Sequence, residues 1–197
     1  IKNSIFTGNE GDAVDFDFVE NESGIFNSIF DNNLNDGIDV SGSRINLQDN
    51  VITNNQDKGL SAGEKSFVDI DNNLIANNLI GIASKDESEV KLNASQIKNN
   101  IIGIGLYNKK VFFKEPKIKV SNSSFSKNYI DCGTESLNKF GNPEPKIIDI
   151  KFNSNKKKFN YVINTDLEKM SKKDLIQTFA SGENIRKYID YVEFKSC

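Results

Sequence analysis

Residues 27–33, Asn-Ser-Ile-Phe-Asp-Asn-Asn, decide the fold, because five other segments of the chain align with them without gaps. In chain order, the six segments read NSIFTGN, NSIFDNN, DNVITNN, NNLIANN, ASQIKNN and NSSFSKN. One apolar position is shared by all six: Phe6, Phe30, Ile52, Ile75, Ile97 and Phe125. The successive spacings of 24, 22, 23, 22 and 28 residues indicate a repeat architecture.

An asparagine follows each of these apolar residues at the same distance of three positions. These residues are Asn9, Asn33, Asn55, Asn78, Asn100 and Asn128. Asparagine tolerates the left-handed backbone of a sharp bend, and its amide both donates and accepts hydrogen bonds. A general asparagine bias in the composition would not explain the fixed phase. The sequence therefore predicts a buried ladder of stacked asparagines.

Two further strand-like runs complete each repeat. The runs GIDVSG, GLSAGE, GIASKD and GIGLYN place an apolar residue inward, with a small residue just before it. The runs RINLQ, FVDID, EVKLN and KIKVS alternate inward apolar pairs with the outward residues Asn46, Asp69, Lys91 and Lys119. Identical positions recur once per coil and so stack in parallel. We predict an all-β fold, a right-handed parallel β-helix with three sheets and about six to seven coils.

The pattern divides the chain into a β-helix over residues 1–155 and a cap over residues 156–197. The cap is expected to hold one short α-helix, capped by Ser171 and ended at Gly182, and a final strand within YVEFKS. Because the chain begins in the middle of a coil, it reads as the C-terminal part of a longer protein. We expect its uncapped N-terminal coil to stack against a second copy, giving a homodimer.

Composition removes several classes of function. A net charge of −3 and a pI of about 5.2 give no basic face for nucleic acid. The chain contains no apolar run long enough for membrane insertion, and no histidine for a Ser-His-Asp triad or a zinc site. Two cysteines, Cys132 and Cys197, are too few for a disulfide framework, and free thiols are favoured over one disulfide.

Charged residues gather at outward positions of the second strand. Register places Asp15 on Asp39 and Asp12 on Asp36, about 4.8 Å apart, where like charges repel. A hard cation such as Ca²⁺, a shared proton or a neighbouring lysine would relieve this repulsion. A solvated acidic face with ion pairs is an equally good interpretation. Lys58 and Lys85 are candidates for a base or for a contact with an acidic sugar, and Tyr107 for a platform under a sugar ring.

The segments DGIDVSGS (36–43) and DKGLSAGEKS (57–66), with the repeated N-S-x-F-x-x-N, resemble the pectate-lyase-like superfamily of right-handed parallel β-helices. The resemblance covers roughly residues 1–155. It implies extended polysaccharide as the ligand, bound along one outer face, and an extracellular or cell-envelope location. The lack of histidine argues against the hydrolase branch of the superfamily.

The lyases of that superfamily pair Ca²⁺-binding carboxylates with a lysine or arginine base. Carried over to this chain, the resemblance suggests three groups of residues: metal ligands Asp12, Asp15, Asp36 and Asp39; catalytic Lys58 and Lys85; and substrate-binding Asp17, Glu64, Asp86 and Tyr107. The expected function is a polysaccharide lyase acting on an acidic polymer. The alternative is a non-catalytic glycan-binding, Ca²⁺-binding or structural module of a larger secreted or envelope protein.

Overall fold

The structure is a computed structural model that describes residues 1–21, 23–135, 146–148 and 194–196. Three sheets run along the molecule, each built from strands that recur once per coil. Sheet 1 contains β1 (Ile5–Thr7), β4 (Ile29–Asp31), β7 (Val51–Thr53), β10 (Leu74–Ala76), β13 (Gln96–Lys98) and β16 (Ser124–Ser126).

The other two sheets complete the walls of the solenoid. Sheet 2 contains β2 (Val14–Asp17), β5 (Ile38–Ser41), β8 (Lys58–Gly63), β11 (Ile80–Lys85), β14 (Ile102–Tyr107), β17 (Ile130–Glu135) and β19 (Phe194–Ser196). Sheet 3 contains β3 (Ser23–Phe26), β6 (Arg44–Gln48), β9 (Phe67–Asp71), β12 (Glu89–Asn93), β15 (Lys117–Ser121) and β18 (Lys146–Ile148). Every strand pair is parallel except β17 with β19, which is antiparallel.

The predicted parallel solenoid is confirmed, but it makes about five turns instead of six to seven. The reason is simple: six aligned segments enclose five complete turns between them. The described part of the chain has no helix. The predicted helix over residues 171–182 lies outside it, as does the predicted cap except for β19. That strand lies within the run YVEFKS, as expected.

The core is a column of aliphatic and aromatic side chains inside the three sheets. The inward residues predicted from alternation are buried, including the pairs Ile45/Leu47, Val68/Ile70, Val90/Leu92 and Ile118/Val120. Phe6 stacks on Phe30 in the first interface between coils, with ring centroids 5.0 Å apart and the planes 2° from parallel. Burial of such side chains is the main source of stability in a solenoid.

The asparagine ladder forms as predicted. The side-chain Nδ2 of each ladder asparagine donates to Oδ1 of the asparagine in the next coil. The N···O distance is 2.7 Å from Asn9 to Asn33 and 3.2 Å from Asn78 to Asn100. The same Oδ1 also accepts the backbone N–H of the preceding ladder residue, as Asn100 does from Asn78 at 2.9 Å. One detail of the prediction is wrong. The left-handed residue of each bend is the one before the ladder asparagine, such as Asn32 with a φ of 57°.

The small residue that precedes each inward apolar residue of sheet 2 is required, because the asparagine ladder leaves no room for a side chain there. A Cβ on Gly81 would lie 2.6 Å from the carbonyl oxygen of Gly103 and 3.0 Å from Nδ2 of Asn100. Gly37, Gly59 and Gly103 meet equivalent atoms one coil further on. The glycine row and the asparagine ladder are therefore one packing arrangement, which the sequence shows as two separate patterns.

Two more polar ladders close the other corners of the coil. In one, the backbone N–H of Ser28 donates to Oδ1 of Asn50 at 2.9 Å, and that of Asn50 to Asn73 at 2.8 Å. In the other, the backbone N–H of Ser66 donates to Oγ of Ser88 at 3.1 Å. The first ladder occupies the position two residues before the aligned Phe or Ile, which is serine in four coils and asparagine in two. Because it mixes two residue types, it is less visible in the sequence than the asparagine ladder.

Cys132 lies in β17 and is disulfide-bonded, with 1% of its surface exposed. Free thiols were the favoured interpretation of the sequence, and for Cys132 that expectation is wrong. The chain has one other cysteine, Cys197, which follows β19 directly in the sequence. The sequence did not show this because nothing in it pairs β17 with the last strand.

Candidate functional site

The predicted acidic cluster is partly assembled at the N-terminal end of sheet 2. We call Asp12, Asp15, Asp17 and Asp39 the acidic strip. Asp15 is paired in register with Asp39, as predicted. Asp15 and Asp17 are exposed, and Asp12 and Asp39 are half-buried. These four carboxyl groups therefore form one continuous surface over the first two coils.

Electrostatic crowding is evident in the acidic strip. The pKa of Asp15 is raised by partial burial and by the neighbouring carboxylates of Asp17 and Asp39. The pKa of Asp12 is also raised by burial, although the backbone N–H of Asp36 opposes the shift. That N–H donates to Oδ1 of Asp12 at 2.9 Å. The strip thus carries a concentration of negative charge that would repel an anionic polymer.

Asp36 and Lys58 are both buried beside the strip. The side chain of Lys58 forms ion pairs with Asp36, at 3.2 Å, and with Asp57. The backbone N–H of Lys58 also donates to Oδ1 of Asp36 at 2.9 Å. Burial raises the pKa of Asp36 to about 6, against the opposing effect of the Lys58 charge. We call these three residues the buried ion cluster; they join the second coil to the third.

Lys85 and Tyr107 lie further along sheet 2 as paired neighbours in register, as predicted. Lys85 is 7% exposed and Tyr107 is 1% exposed, although both occupy outward positions of their strands. The Lys85 stem packs over Gly63, where a Cβ would lie 3.5 Å from Cε of the lysine. Neither side chain presents an open surface to a polymer in this structure.

Glu64 and Asp86 hold a loop instead of joining the acidic strip. The loop, residues 108–116, is the insertion that lengthens the last repeat. Oδ1 of Asp86 accepts the backbone N–H groups of Lys109 and Lys110 at 2.7 and 2.8 Å. Glu64 forms an ion pair with the side chain of Lys110. Burial raises the pKa of Asp86. Burial also acts to raise the pKa of Glu64, but Lys110, Ser41 and Lys85 together outweigh it, and the pKa of Glu64 is lowered.

Three of the four predicted Ca²⁺ ligands, Asp12, Asp36 and Asp39, already make hydrogen bonds or ion pairs within the protein. Asp12 accepts an N–H from Asp36, Asp36 binds Lys58, and Oδ1 of Asp39 accepts the N–H of Val40 at 3.0 Å. Among the described residues, no group of three or more carboxylate, cysteine or histidine side chains is arranged to hold a metal ion. Ca²⁺ takes six to eight oxygen ligands, more than the four predicted aspartates supply with one oxygen each. Calcium binding stays a prediction.

A second polar surface, not predicted from the sequence, lies on the outer face of sheet 3. Strands β9, β12 and β15 form a shallow cleft of about 350 Å³. Its polar lining residues are Asp69, Asp71, Lys91, Asn93, Lys119 and Ser121. We call this surface the sheet 3 cleft. Asp69, Lys91 and Lys119 are register partners in successive coils, and so are Asp71, Asn93 and Ser121.

The contacts within the sheet 3 cleft are those of a mixed polar surface. Lys91 lies 3.8 Å from Asp69 in an ion pair whose members are 47% and 44% exposed. Asn93 donates to Asp71 at 2.6 Å and accepts from Ser121 at 3.0 Å. Phe67 lies at the edge of the cleft, with Nζ of Lys91 4.4 Å from its ring centroid. The outward residues of the sheet 3 cleft can be predicted from the alternation along each strand. Because adjacent coils carry charges of opposite sign, these residues do not form a recognisable charged cluster in the sequence.

The chain matches a family model described as a right handed beta helix region, over residues 1–167. No curated protein and no solved structure matches it. In the described part of the chain, no helix has the length and apolar character to cross a membrane.

Proposed function

The chain belongs to the right-handed β-helix family, and we propose that it is a carbohydrate-binding module which holds anionic polysaccharide without cleaving it. The observation that carries this proposal is the sheet 3 cleft, where Lys91 and Lys119 occupy the same outward row in adjacent coils. The family match alone supports the fold and not the ligand, because one fold serves many functions.

The geometry of the cleft suits an extended polymer. Outward rows on parallel strands repeat about every 4.8 Å across the sheet. A chain lying across the strands therefore meets one residue of each row at every coil, and in one row these are Asp69, Lys91 and Lys119. Lys91 and Lys119 offer cationic donors for carboxylate groups, while Asn93 and Ser121 offer amide and hydroxyl groups for sugar hydroxyls. The acidic strip on sheet 2 has the opposite charge and would disfavour the same ligand.

The buried positions of Lys58 and Lys85, the two lysines expected to act as a base, support binding without turnover. A lyase base must reach the acidic proton of the sugar and must be neutral when it removes that proton. Lys58 is 4% exposed, and its ammonium group forms ion pairs with Asp36 and Asp57, so it is not placed to reach a sugar on the surface. Lys85 is 7% exposed. A lyase remains the alternative, and it differs from our proposal in whether product forms.

The test is binding of polygalacturonate and alginate by calorimetry. We compare the wild-type chain with the double variant Lys91→Ala/Lys119→Ala. Each exposed charge contact is worth about 0.5–1 kcal/mol, so losing both should weaken binding by about tenfold. Lys98→Ala, on β13 of sheet 1, is the matched control and should bind like wild type. Equal affinity in the double variant and in wild type would refute the proposal.

The same samples distinguish a binding module from a lyase. We expect no ultraviolet-absorbing unsaturated product, and we expect binding to be the same with Ca²⁺ or with a chelator. Release of unsaturated product by wild type, lost in Lys58→Ala or Lys85→Ala, would establish the lyase instead. Binding that requires Ca²⁺ and is lost in Asp15→Asn/Asp39→Asn would move the ligand site to the acidic strip.

We extend the proposal to location: the protein acts outside the cytosol, in a secreted or cell-envelope setting. The disulfide bond at Cys132 supports this, since structural disulfides persist mainly in oxidising compartments. Alkylation of the protein taken directly from its native cells tests it. Cys132 should be protected from the reagent until a reductant is added.

A further inference from the structure

Loop 108–116 carries a turn whose two central residues are large and apolar. The backbone N–H of Phe113 donates to the carbonyl oxygen of Lys110 at 3.3 Å, which closes the turn around Val111 and Phe112. Turns are usually built from glycine, proline, asparagine, aspartate and serine. Here the valine is 52% exposed and the phenylalanine 75% exposed, and neither belongs to the core. We call this pair the apolar tip; an adjacent pair of large apolar side chains held in water indicates an interaction surface.

The loop that presents the apolar tip is fixed to the solenoid on both sides of the turn. Before the turn, Oδ1 of Asp86 accepts two backbone N–H groups of the loop. After it, the backbone N–H of Lys114 donates to Oε2 of Glu87 at 3.4 Å. Nδ2 of Asn108 donates to the carbonyl oxygen of Phe113 at 3.0 Å and so joins the two sides of the loop. The tip is therefore preorganised, which reduces the entropy that it loses on binding.

The surroundings of the apolar tip are basic. Residues 108–117 contain four lysines and one glutamate, in a chain whose net charge is −3. Lys109 and Lys114 flank the tip and are exposed. Three carboxylates contact the loop through its backbone N–H groups or through Lys110, and these are Glu64, Asp86 and Glu87. The tip therefore combines apolar side chains with exposed positive charge.

An anionic lipid surface matches both properties of the tip. Phosphate headgroups attract lysines, and the boundary between headgroups and acyl chains accepts apolar side chains. Val111 and Phe112 carry no side-chain donor or acceptor for sugar hydroxyls. A single turn is much too short to cross a bilayer, so the contact is one of surface docking.

Phe18 supplies an internal contrast to the apolar tip. It is 71% exposed and follows β2 at the same corner of the solenoid, between sheet 2 and sheet 3. Its ring lies close to Gly42, where a Cβ would be 2.6 Å from Cδ1 of the phenylalanine. The preceding residue is Asp17 of the acidic strip. An exposed phenylalanine beside negative charge does not suit an anionic surface, so this residue is a matched control.

We infer that the apolar tip of loop 108–116 docks the protein on an anionic lipid surface. Val111 and Phe112 enter the boundary between headgroups and acyl chains, and Lys109 and Lys114 lie at the lipid phosphates. The inference is independent of the polysaccharide proposal, which concerns the sheet 3 cleft.

Flotation of the full chain with lipid vesicles tests the docking. Wild type should bind vesicles of phosphatidylcholine with phosphatidylglycerol, and should not bind vesicles of phosphatidylcholine alone. Phe112→Ser should lower the partition coefficient by about tenfold, because one phenylalanine no longer leaves water. Lys109→Ala/Lys114→Ala should lower it by about tenfold as well, through the lost attraction to the headgroups. Phe18→Ser should bind like wild type, and all variants should have the circular dichroism spectrum of wild type.

A fluorescent reporter measures the position of the tip directly. The chain contains no tryptophan, so Phe112→Trp introduces a single one. Its emission should shift to shorter wavelength when vesicles with phosphatidylglycerol are added, because the ring leaves water. The emission of Phe18→Trp should not shift under the same conditions.

Each of three results would overturn the inference. The first is equal binding of wild type and Phe112→Ser to the anionic vesicles, or no binding by either. The second is a dimer of wild type without lipid that Phe112→Ser converts to a monomer, because the tip would then contact a second copy. The third is loss of polygalacturonate binding in Phe112→Ser, which would assign the tip to the polysaccharide. Unchanged polygalacturonate binding in this variant is the expected result.

Discussion

Replacing Asn78 by alanine tests the asparagine ladder at its centre. The side chain takes part in four hydrogen bonds. Its Oδ1 accepts the backbone N–H and Nδ2 of Asn55, both at 3.0 Å. Its Nδ2 donates to Oδ1 of Asn100 at 3.2 Å and to the carbonyl oxygen of Ile52 at 3.3 Å. The residue is 1% exposed, so water cannot replace these partners without entering the core.

The magnitude follows from the groups left without a partner. Alanine keeps the backbone N–H bond to Asn100, but the N–H of Asn55 loses its acceptor and Nδ2 of Asn55 loses one of its two acceptors. An unsatisfied buried donor or acceptor costs about 1–3 kcal/mol. Two such groups lower the free energy of unfolding by about 3–5 kcal/mol, a large part of the 5–15 kcal/mol typical of a domain.

Urea unfolding followed by circular dichroism measures this loss. Asn46→Ala is the matched control, because Asn46 lies at an outward position of β6 and makes the same change in composition. Surface substitutions of this kind usually change stability by less than about 0.5 kcal/mol. Equal unfolding free energies for Asn78→Ala and Asn46→Ala would refute the reasoning, since the ladder asparagine would then contribute no more than an outward, half-buried asparagine.

Further predictions concern packing, charge and the disulfide. Gly81→Ala should destabilise the protein by about 1–3 kcal/mol in the same urea assay, because its Cβ would overlap the next coil, whereas Gly63→Ala has ordinary contacts and should cost less. Lys58→Met leaves Asp36 and Asp57 buried without their cation and should lower the unfolding free energy at neutral pH by about 3–5 kcal/mol, with Lys98→Met near wild type. The folded pKa of Asp36 is raised from 3.8 to about 6, so its contribution is full below about pH 4 and is lost as pH rises through about 6. Asp36→Asn should therefore show a flatter stability profile than wild type across that window, and parallel profiles would contradict the assignment. Peptide mapping without reductant should find Cys132 in a cross-linked peptide, and a free Cys132 thiol would contradict the structure.

Much of the fold was predictable because a stacked coil repeats its constraints in sequence. The phase of Asn33, Asn55 and Asn78 fixed the register, and that register correctly paired Asp15 with Asp39 and Lys85 with Tyr107. The number of turns was overestimated because repeats were counted instead of the intervals between them. The Ser28–Asn50 ladder was missed since serine and asparagine fill one structural role with different side chains.

The candidate site was less predictable, because register fixes neighbours but not burial. Sequence alternation placed Lys85 and Tyr107 on the outward side of sheet 2, yet both are buried in the folded chain. Lys58 was expected to act as a base, but it lies between two carboxylates whose positions depend on the path of the chain into β8. The sheet 3 cleft is formed by residues of three strands together. The sequence of each strand alone shows only the usual alternation of apolar and polar residues, so the cleft could not be predicted from it.

A crystal structure of the chain with a short oligouronate would test the central claim most directly. We predict intact sugar density across β9, β12 and β15, with carboxylates near Lys91 and Lys119. Density over sheet 2 beside Lys58 and Lys85, or a cleaved product there, would contradict the proposed binding module.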